Sequence, residues 1–152
     1  MTDSEISAFA SRQQGGYIAD RVAAGETPEQ ARENAERQWL MYFPAGRAAA
    51  GHRLYQVLDG DEMVGLLWLG PSPDGKPGLD WIYYIEVDPA VRGRGYGRDT
   101  MLLAEQDARE HGAGELGLNV FGPNKVARRL YESVGYEATA INMVKRIPPA
   151  TD

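Results

Sequence analysis

The stretch from Trp81 to Phe121 constrains the fold more than any other. A strand-like run, "WIYYIEV", ends before Pro89, passes through the turn "VRGRGYG", and opens a helix from Gly97 to about Glu110. A second strand-like run, "LGLNVF", follows. Met101, Ala104 and Ala108 give the helix one apolar face, and Gly112 and Gly114 close it. Two strands joined through a crossover helix lie parallel in one sheet, since a right-twisted strand feeding a right-handed helix packs back only that way.

The rest of the chain fits around that unit. Ile6, Phe9 and Tyr17 keep helical spacing in a first helix, which Gly15 and Gly16 are expected to interrupt. Thr27 as N-cap, Pro28 at the first helical position and Gln30 as capping-box partner start a second helix with Ala31, Ala35 and Trp39 along one stripe. "HRLYQVL" and "MVGLLWL", flanking Asp59 and Gly60, predict an antiparallel hairpin. Pro123 to Ser133, stopped by Gly135, predicts a last helix, and "TAINMVKRI" a last strand. The fold class is therefore mixed α/β (α+β): a mostly antiparallel sheet with a central parallel pair and helices on both faces.

A chain of 152 residues suits a single domain, placed at residues 1–147 with a flexible tail over 148–152. The absence of cysteine excludes disulfides, thiolate metal sites and a cysteine acyl-enzyme. Acidic residues in "MTDSEISAF" stand where a secretory leader carries basic ones, and no apolar run is long enough to span a bilayer, so a cytoplasmic protein is expected. The formal charge of −6 argues against nucleic-acid or membrane-surface partners. Basic islands at Arg92, Arg94 and Arg98, and at Lys125, Arg128 and Arg129, leave room for a small anion. No His, Asp or Glu cluster has metal-ligand spacing, and no metal is expected.

Gly93, Gly95 and Gly97 stand where a strand turns into a helix. There the unpaired N–H groups of the first helical turn and the helix dipole favour phosphate, and glycine lets it approach the backbone. The glycines alone also suit a tight packing turn. A P-loop is disfavoured because Arg98 and Asp99 follow the last glycine instead of Lys and Ser or Thr. A dinucleotide fingerprint is disfavoured because Phe121, Gly122 and Pro123 end the second parallel strand where an acid belongs.

The spacing Arg92, two residues, Gly95, one residue, Gly97, together with "NVFGPNKVARRLYESVGYEATAINMVKRI", resembles the GNAT superfamily of acyl-CoA-dependent N-acyltransferases over roughly residues 50 to 147. The resemblance implies that the strands Trp81 to Val87 and Leu116 to Phe121 splay apart. Backbone groups of Ile85 and Val87 would pair with the pantetheine arm, and Arg92, Gly93, Arg94, Gly95, Tyr96 and Gly97 would hold the pyrophosphate of acetyl-CoA. It further implies cofactor contacts from Asn119, Asn124 and Arg128, and Tyr131 as the acid that protonates the departing thiolate. Asn124, Arg128 and Tyr131, at i, i+4 and i+7, share one helical face. A phenol of pKa about 10 can donate to a thiolate whose acid lies near 8.5.

For the base, Glu86 and water-mediated transfer stand side by side, and Glu86 also suits a solvated or ion-paired strand position. Tyr131 equally suits the edge of a core. An alkylamine of pKa near 10.4 is only about one part in 2,500 neutral at pH 7, so its proton needs a path. His52 is expected to be a structural hydrogen-bonder, and His111 a favourable charge at a helix C-terminus. Tyr83, Tyr84, Trp68 and Asn142 are candidates for an acceptor pocket or for core.

One departure from the family is expected: no strand precedes the first helix. The implied function is N-acetyl transfer from acetyl-CoA to a primary amine on a small molecule or peptide, by direct attack, in a possible homodimer. A non-catalytic acyl-CoA-binding or regulatory module and a nucleotide-binding α/β protein are the alternatives.

Overall fold

The computed structural model describes residues 1–151. They fall into two compact units, residues 1–119 and residues from 120 onward. The first unit begins with helices α1 (Asp3–Ala23) and α2 (Pro28–Tyr42) and continues with strands β1 (Arg53–Asp59), β2 (Glu62–Pro71) and β3 (Leu79–Val87). Helix α3 (Tyr96–Glu110) and strand β4 (Glu115–Leu118) complete it. The second unit holds α4 (Lys125–Ser133).

Among the described residues α1 is the first element, as the sequence predicts. Gly15 and Gly16 do not interrupt it: α1 runs 21 residues without a break. Each glycine costs about 1 kcal/mol against alanine in a helix interior. That cost is offset by a capping box at Thr2 and Glu5 and by burial of Ile6, Phe9 and Ala10. The capping box predicted at Thr27 and Gln30 forms, with both reciprocal bonds at 3.2 Å.

The sheet has the order β1-β2-β3-β4; its first two pairings are antiparallel and β3 with β4 is parallel through α3. Alternation along the strands divides the core. Leu54, Leu66 and Trp68 pack with Ile6, Phe9, Ala10 and Phe43 under α1 and α2. Leu67, Leu69 and Ile82 are buried on the other face, where Met101, Ala104 and Ala108 of α3 are buried too. On that face Arg53 Nη2 lies 2.5 Å from Asp80 and its Nε 2.7 Å from Asp107. Tyr55 donates its hydroxyl to Asp107 at 2.6 Å, and burial followed by this bond pushes its phenol up to about 12.

The β2–β3 register slips once: Trp68 faces Tyr84 and Leu69 faces Ile82, leaving Tyr83 as an extra residue. Because of this bulge, Tyr83 and Tyr84 pack on the same aromatic cluster although they are neighbours in sequence. Tyr83 stacks on Trp68 at 4.9 Å, and Tyr84 meets Phe9 edge-on at 5.2 Å.

Three boundaries differ from the sequence reading. The strand predicted over "LGLNVF" ends at Leu118, and Phe121 is exposed, because the chain turns there and Phe121 O accepts from Asn124 N–H. Helix α4 starts at Lys125 rather than Pro123, with Asn124 as its N-cap. "TAINMVKRI" forms no strand; residues 136–151 carry no regular secondary structure. A strand needs a ladder partner, and every strand among the described residues belongs to the first unit. Of the tail expected over 148–152, residue 152 lies outside the described residues.

Candidate active site

The site is built around β3, whose two edges have different fates. Parallel pairing with β4 stops at Ile82 opposite Leu118, so Tyr83 to Val87 run on past the end of their partner. In the antiparallel ladder with β2, Asp88 N–H bonds Val64 O at 2.8 Å. Bonded and non-bonded pairs alternate, so the backbone groups of Glu86 and Tyr84 turn to β2, while those of Val87 and Ile85 turn to the free edge. The carbonyl of Val87 is engaged there by Arg92, which donates from Nε at 3.0 Å. The N–H of Val87 and both groups of Ile85 remain directed at the gap beyond β4.

The chain then turns through Arg92 to Gly95 into α3. Gly95 is the N-cap in the left-handed region, φ +90°, and no side chain caps the helix. The Cβ position of Gly95 meets no atom within 4 Å, so the glycine is required by its backbone conformation and leaves the turn open. Four features thus converge at one end of the sheet: an uncapped helix start, a glycine turn, Arg92 and Arg94. Asp99 adds one negative charge to the first turn of α3. The Tyr96 hydroxyl donates to Asp59 at 2.6 Å, so its ring is tied to the β1–β2 hairpin. Gly97 is the second residue of α3, and Asn119 is exposed just past β4.

On the α1 side of β3 lies an open cavity of about 360 Å3, lined by Arg12 and Gln13 of α1, Met63, Gly65 and Leu66 of β2, and Tyr84, Glu86, Asp88 and Pro89. Tyr84 donates its hydroxyl to Glu86 Oε2 at 2.7 Å. Burial, then this bond, raises the Tyr84 phenol above its usual range. A Cβ on Gly65 would collide with the Glu86 carbonyl oxygen, so glycine sets how closely β2 and β3 approach at the cavity floor. Arg12, Gln13, Gly65 and Asp88 were not legible as site residues. Arg12 and Gln13 follow Phe9 by one helical turn, a spacing that gains meaning only once α1 is laid on the sheet.

His52 is structural, as expected. Its Nδ1 accepts from Trp68 Nε1–H at 3.0 Å, and its ring touches Tyr42, Trp68 and Tyr83. Burial, then Arg53, lowers its pKa. Trp68, Tyr83 and Tyr84 belong to the aromatic cluster, while Asn142 lies in the segment without regular structure. His111 caps the end of α3, its Nδ1 2.8 Å from Asp107 O.

The second unit presents Arg128 and Tyr131 on α4 and Asn124 at its N-cap. The Asn124 side chain accepts from Ala127 N–H at 3.2 Å, so it serves the helix cap. Arg128 lies 3.4 Å from Glu132. Tyr131 is half-buried, and burial alone raises its phenol above the usual value. Helix α4 ends in a Schellman motif: Gly135 N–H bonds Glu132 O and Tyr136 N–H bonds Tyr131 O. Gly135 at φ +99° makes the reversal, and the rings of Tyr131 and Tyr136, the apolar pair of that motif, lie 6.1 Å apart.

The profile of the acetyltransferase (GNAT) family matches residues 18–136. The uncharacterized N-acetyltransferase YycN of Bacillus subtilis (strain 168) is 31% identical over 133 residues, covering 86% of this chain and 85% of its own. YdgE of the same organism, also an uncharacterized N-acetyltransferase, is 31% identical over 149 residues, with 97% and 95% covered. The crystal structure of YycN superposes with a TM-score of 0.81 at 29% identity, covering 97% of this chain and 96% of that one. A second Bacillus subtilis acetyltransferase, solved with CoA, shares the fold at a TM-score of 0.56 and 20% identity over 70% of this chain and 62% of that one. Profile, sequence and fold agree, and the chain belongs to the acetyltransferase (GNAT) family.

Proposed function

We propose that the protein is an N-acetyltransferase, moving an acetyl group from acetyl-CoA to a primary amine by direct attack. The observation that carries this reading is the free edge of β3 beside the open glycine turn. Backbone N–H and C=O groups at a sheet edge need partners, and a strand-like amide arm supplies them. An uncapped helix start with two flanking arginines suits a pyrophosphate. The residues present therefore fit acetyl-CoA, which supplies an activated acyl group when bound.

In this reading Ile85 and Val87 hold the pantetheine. The N–H of Val87 stabilises negative charge developing on the thioester oxygen. Arg92, Gly93, Arg94, Gly95, Tyr96 and Gly97 hold the pyrophosphate, Tyr96 by its backbone because its hydroxyl is bonded elsewhere. Glu86, facing the cavity, takes the amine proton directly or through water. From the family pattern, Asn119, Asn124 and Arg128 are assigned to the cofactor, and Tyr131 gives a proton to the departing thiolate. Burial keeps the Tyr131 phenol protonated across the neutral range, as an acid must be.

Thermal shift with acetyl-CoA, longer acyl-CoAs, NAD and ATP tests the ligand. Ligand at about a hundred times its Kd adds about 2.7 kcal/mol and raises Tm by roughly 5–10 °C. A shift with ATP or NAD and none with acetyl-CoA overturns the reading. Turnover is then followed through the released CoA thiol, to which a chain without cysteine adds no background. Binding without turnover on any amine, unchanged in Tyr131→Phe, identifies a non-catalytic acyl-CoA-binding module instead.

A further inference from the structure

The cavity beside Glu86 carries both signs of charge, and neither is neutralised by an ion pair. We infer from this that the acceptor is a zwitterionic small molecule of amino-acid type, its amine held at Glu86 and Asp88 and its anionic group at Arg12. The inference rests on the acetyl-transfer reading above and specifies the substrate class of that site.

Glu86 and Asp88 lie two residues apart along the β3 segment and line the same cavity. One oxygen of Glu86 takes the Tyr84 hydroxyl, and Asp88 Oδ1 takes the N–H of Ala90, so each carboxylate keeps a further oxygen for a ligand. Facing them, Arg12 projects from α1 with its guanidinium carbon 6.0 Å from the centre of the Phe9 ring. This contact holds the charge at the cavity rim. Among the described residues neither Arg12, Glu86 nor Asp88 forms a salt bridge, with one another or with any other group.

A ligand with an ammonium and a carboxylate completes both sides. A diamine or polyamine matches the carboxylates but brings its second cation toward Arg12, which repels it. An uncharged amine leaves the guanidinium unused. The volume, about 360 Å3, is near the lower end for small-molecule sites, around 300 Å3, so the acceptor is of amino-acid size. Met63, Leu66 and Pro89 offer an apolar wall to its side chain.

The test measures CoA release with acetyl-CoA and three acceptor sets: free amino acids, the corresponding carboxamides, and alkyl diamines. Rates are compared per neutral amine, since removing the carboxylate changes the amine pKa. The expected result is a kcat/KM at least about tenfold higher for the acids than for the carboxamides, with the diamines lowest. Arg12→Ala should bring that ratio to within about threefold of one, mainly through KM, and Arg12→Glu should reverse it in favour of diamines. Arg12 is exposed, so both variants are expected to fold, with Tm as the check. Equal use of acid and carboxamide, a wild-type preference for diamines, or an acid preference that survives Arg12→Ala overturns the inference and leaves the acetyltransferase reading intact. Absence of any acetyl-CoA thermal shift overturns both.

Discussion

His52 is held among Tyr42, Trp68 and Tyr83 with its Nδ1 accepting from Trp68, an arrangement that favours the neutral ring. Burial lowers its pKa from 6.5, so below pH 6.5 the unfolded chain binds more protons than the folded one. Stability therefore falls as pH drops through about 6.5, and the loss levels off only below the folded pKa. Tm measured between pH 7.5 and 5.5 should fall less in His52→Gln than in the wild type, roughly in line with removal of one titrating group. At Tyr131, replacement by phenylalanine should lower kcat about 100-fold or more while leaving the KM for acetyl-CoA within about threefold. Because burial raises its phenol, Tyr131 should contribute no alkaline limb to the wild-type rate profile below pH 10. Chemistry at this scale was partly legible. The spacing of Arg92, Gly95 and Gly97 marked the turn from the sequence alone. Arg12 and Asp88 belong to no local pattern and meet at the cavity only through the packing of α1 on the sheet.

Helix ends were the most legible elements because their signals are local. Thr27 and Gln30, and Gly112 and Gly135, are capping residues whose partners lie within a few positions. The Schellman end of α4 makes a specific prediction. Gly135→Ala forces a side chain into the left-handed region at φ +99° and should cost about 1–2 kcal/mol locally. Faster amide exchange at Val134 and Tyr136, measured by hydrogen exchange, would register this as fraying of the last turn. The first helix runs through Gly15 and Gly16 because burial of Ile6, Phe9 and Ala10 outweighs the low intrinsic propensity of the two glycines. Element scale also contains the bulge, for which "WIYYIEV" gives no sign: aromatic residues at consecutive positions suit either side of a strand.

Across the first unit, Arg53 connects β1 to β3 through Asp80 and to α3 through Asp107. The three side chains are only 13–15% exposed, so removing one charge leaves another with incomplete compensation. Asp107→Asn should lower stability by about 1–3 kcal/mol, since Arg53 keeps Asp80 and the Gly51 carbonyl. Urea unfolding should show a lower midpoint with an unchanged slope. The parallel β3–β4 pair was legible because the crossover rule permits few alternatives. The strand expected at "TAINMVKRI" does not form, because pairing is a property of two segments rather than of one run of sequence.

The extra residue at Tyr83 sets the phase of the strand beyond it. Before the bulge Ile82 faces α3, and if Tyr83 took an ordinary place in the ladder, strict alternation would turn Tyr84 and Glu86 the same way, bringing Ile85 to the cavity instead. Whether a carboxylate or the sec-butyl group of Ile85 faces the cavity is thus decided by whether Tyr83 is bulged or paired in the ladder. Deleting Tyr83 would close the bulge and leave Tyr84, Ile85 and Glu86 on the faces they hold now, whereas pairing Tyr83 into the ladder would exchange them. One unpaired residue in a strand thus sets which side chains the cavity receives.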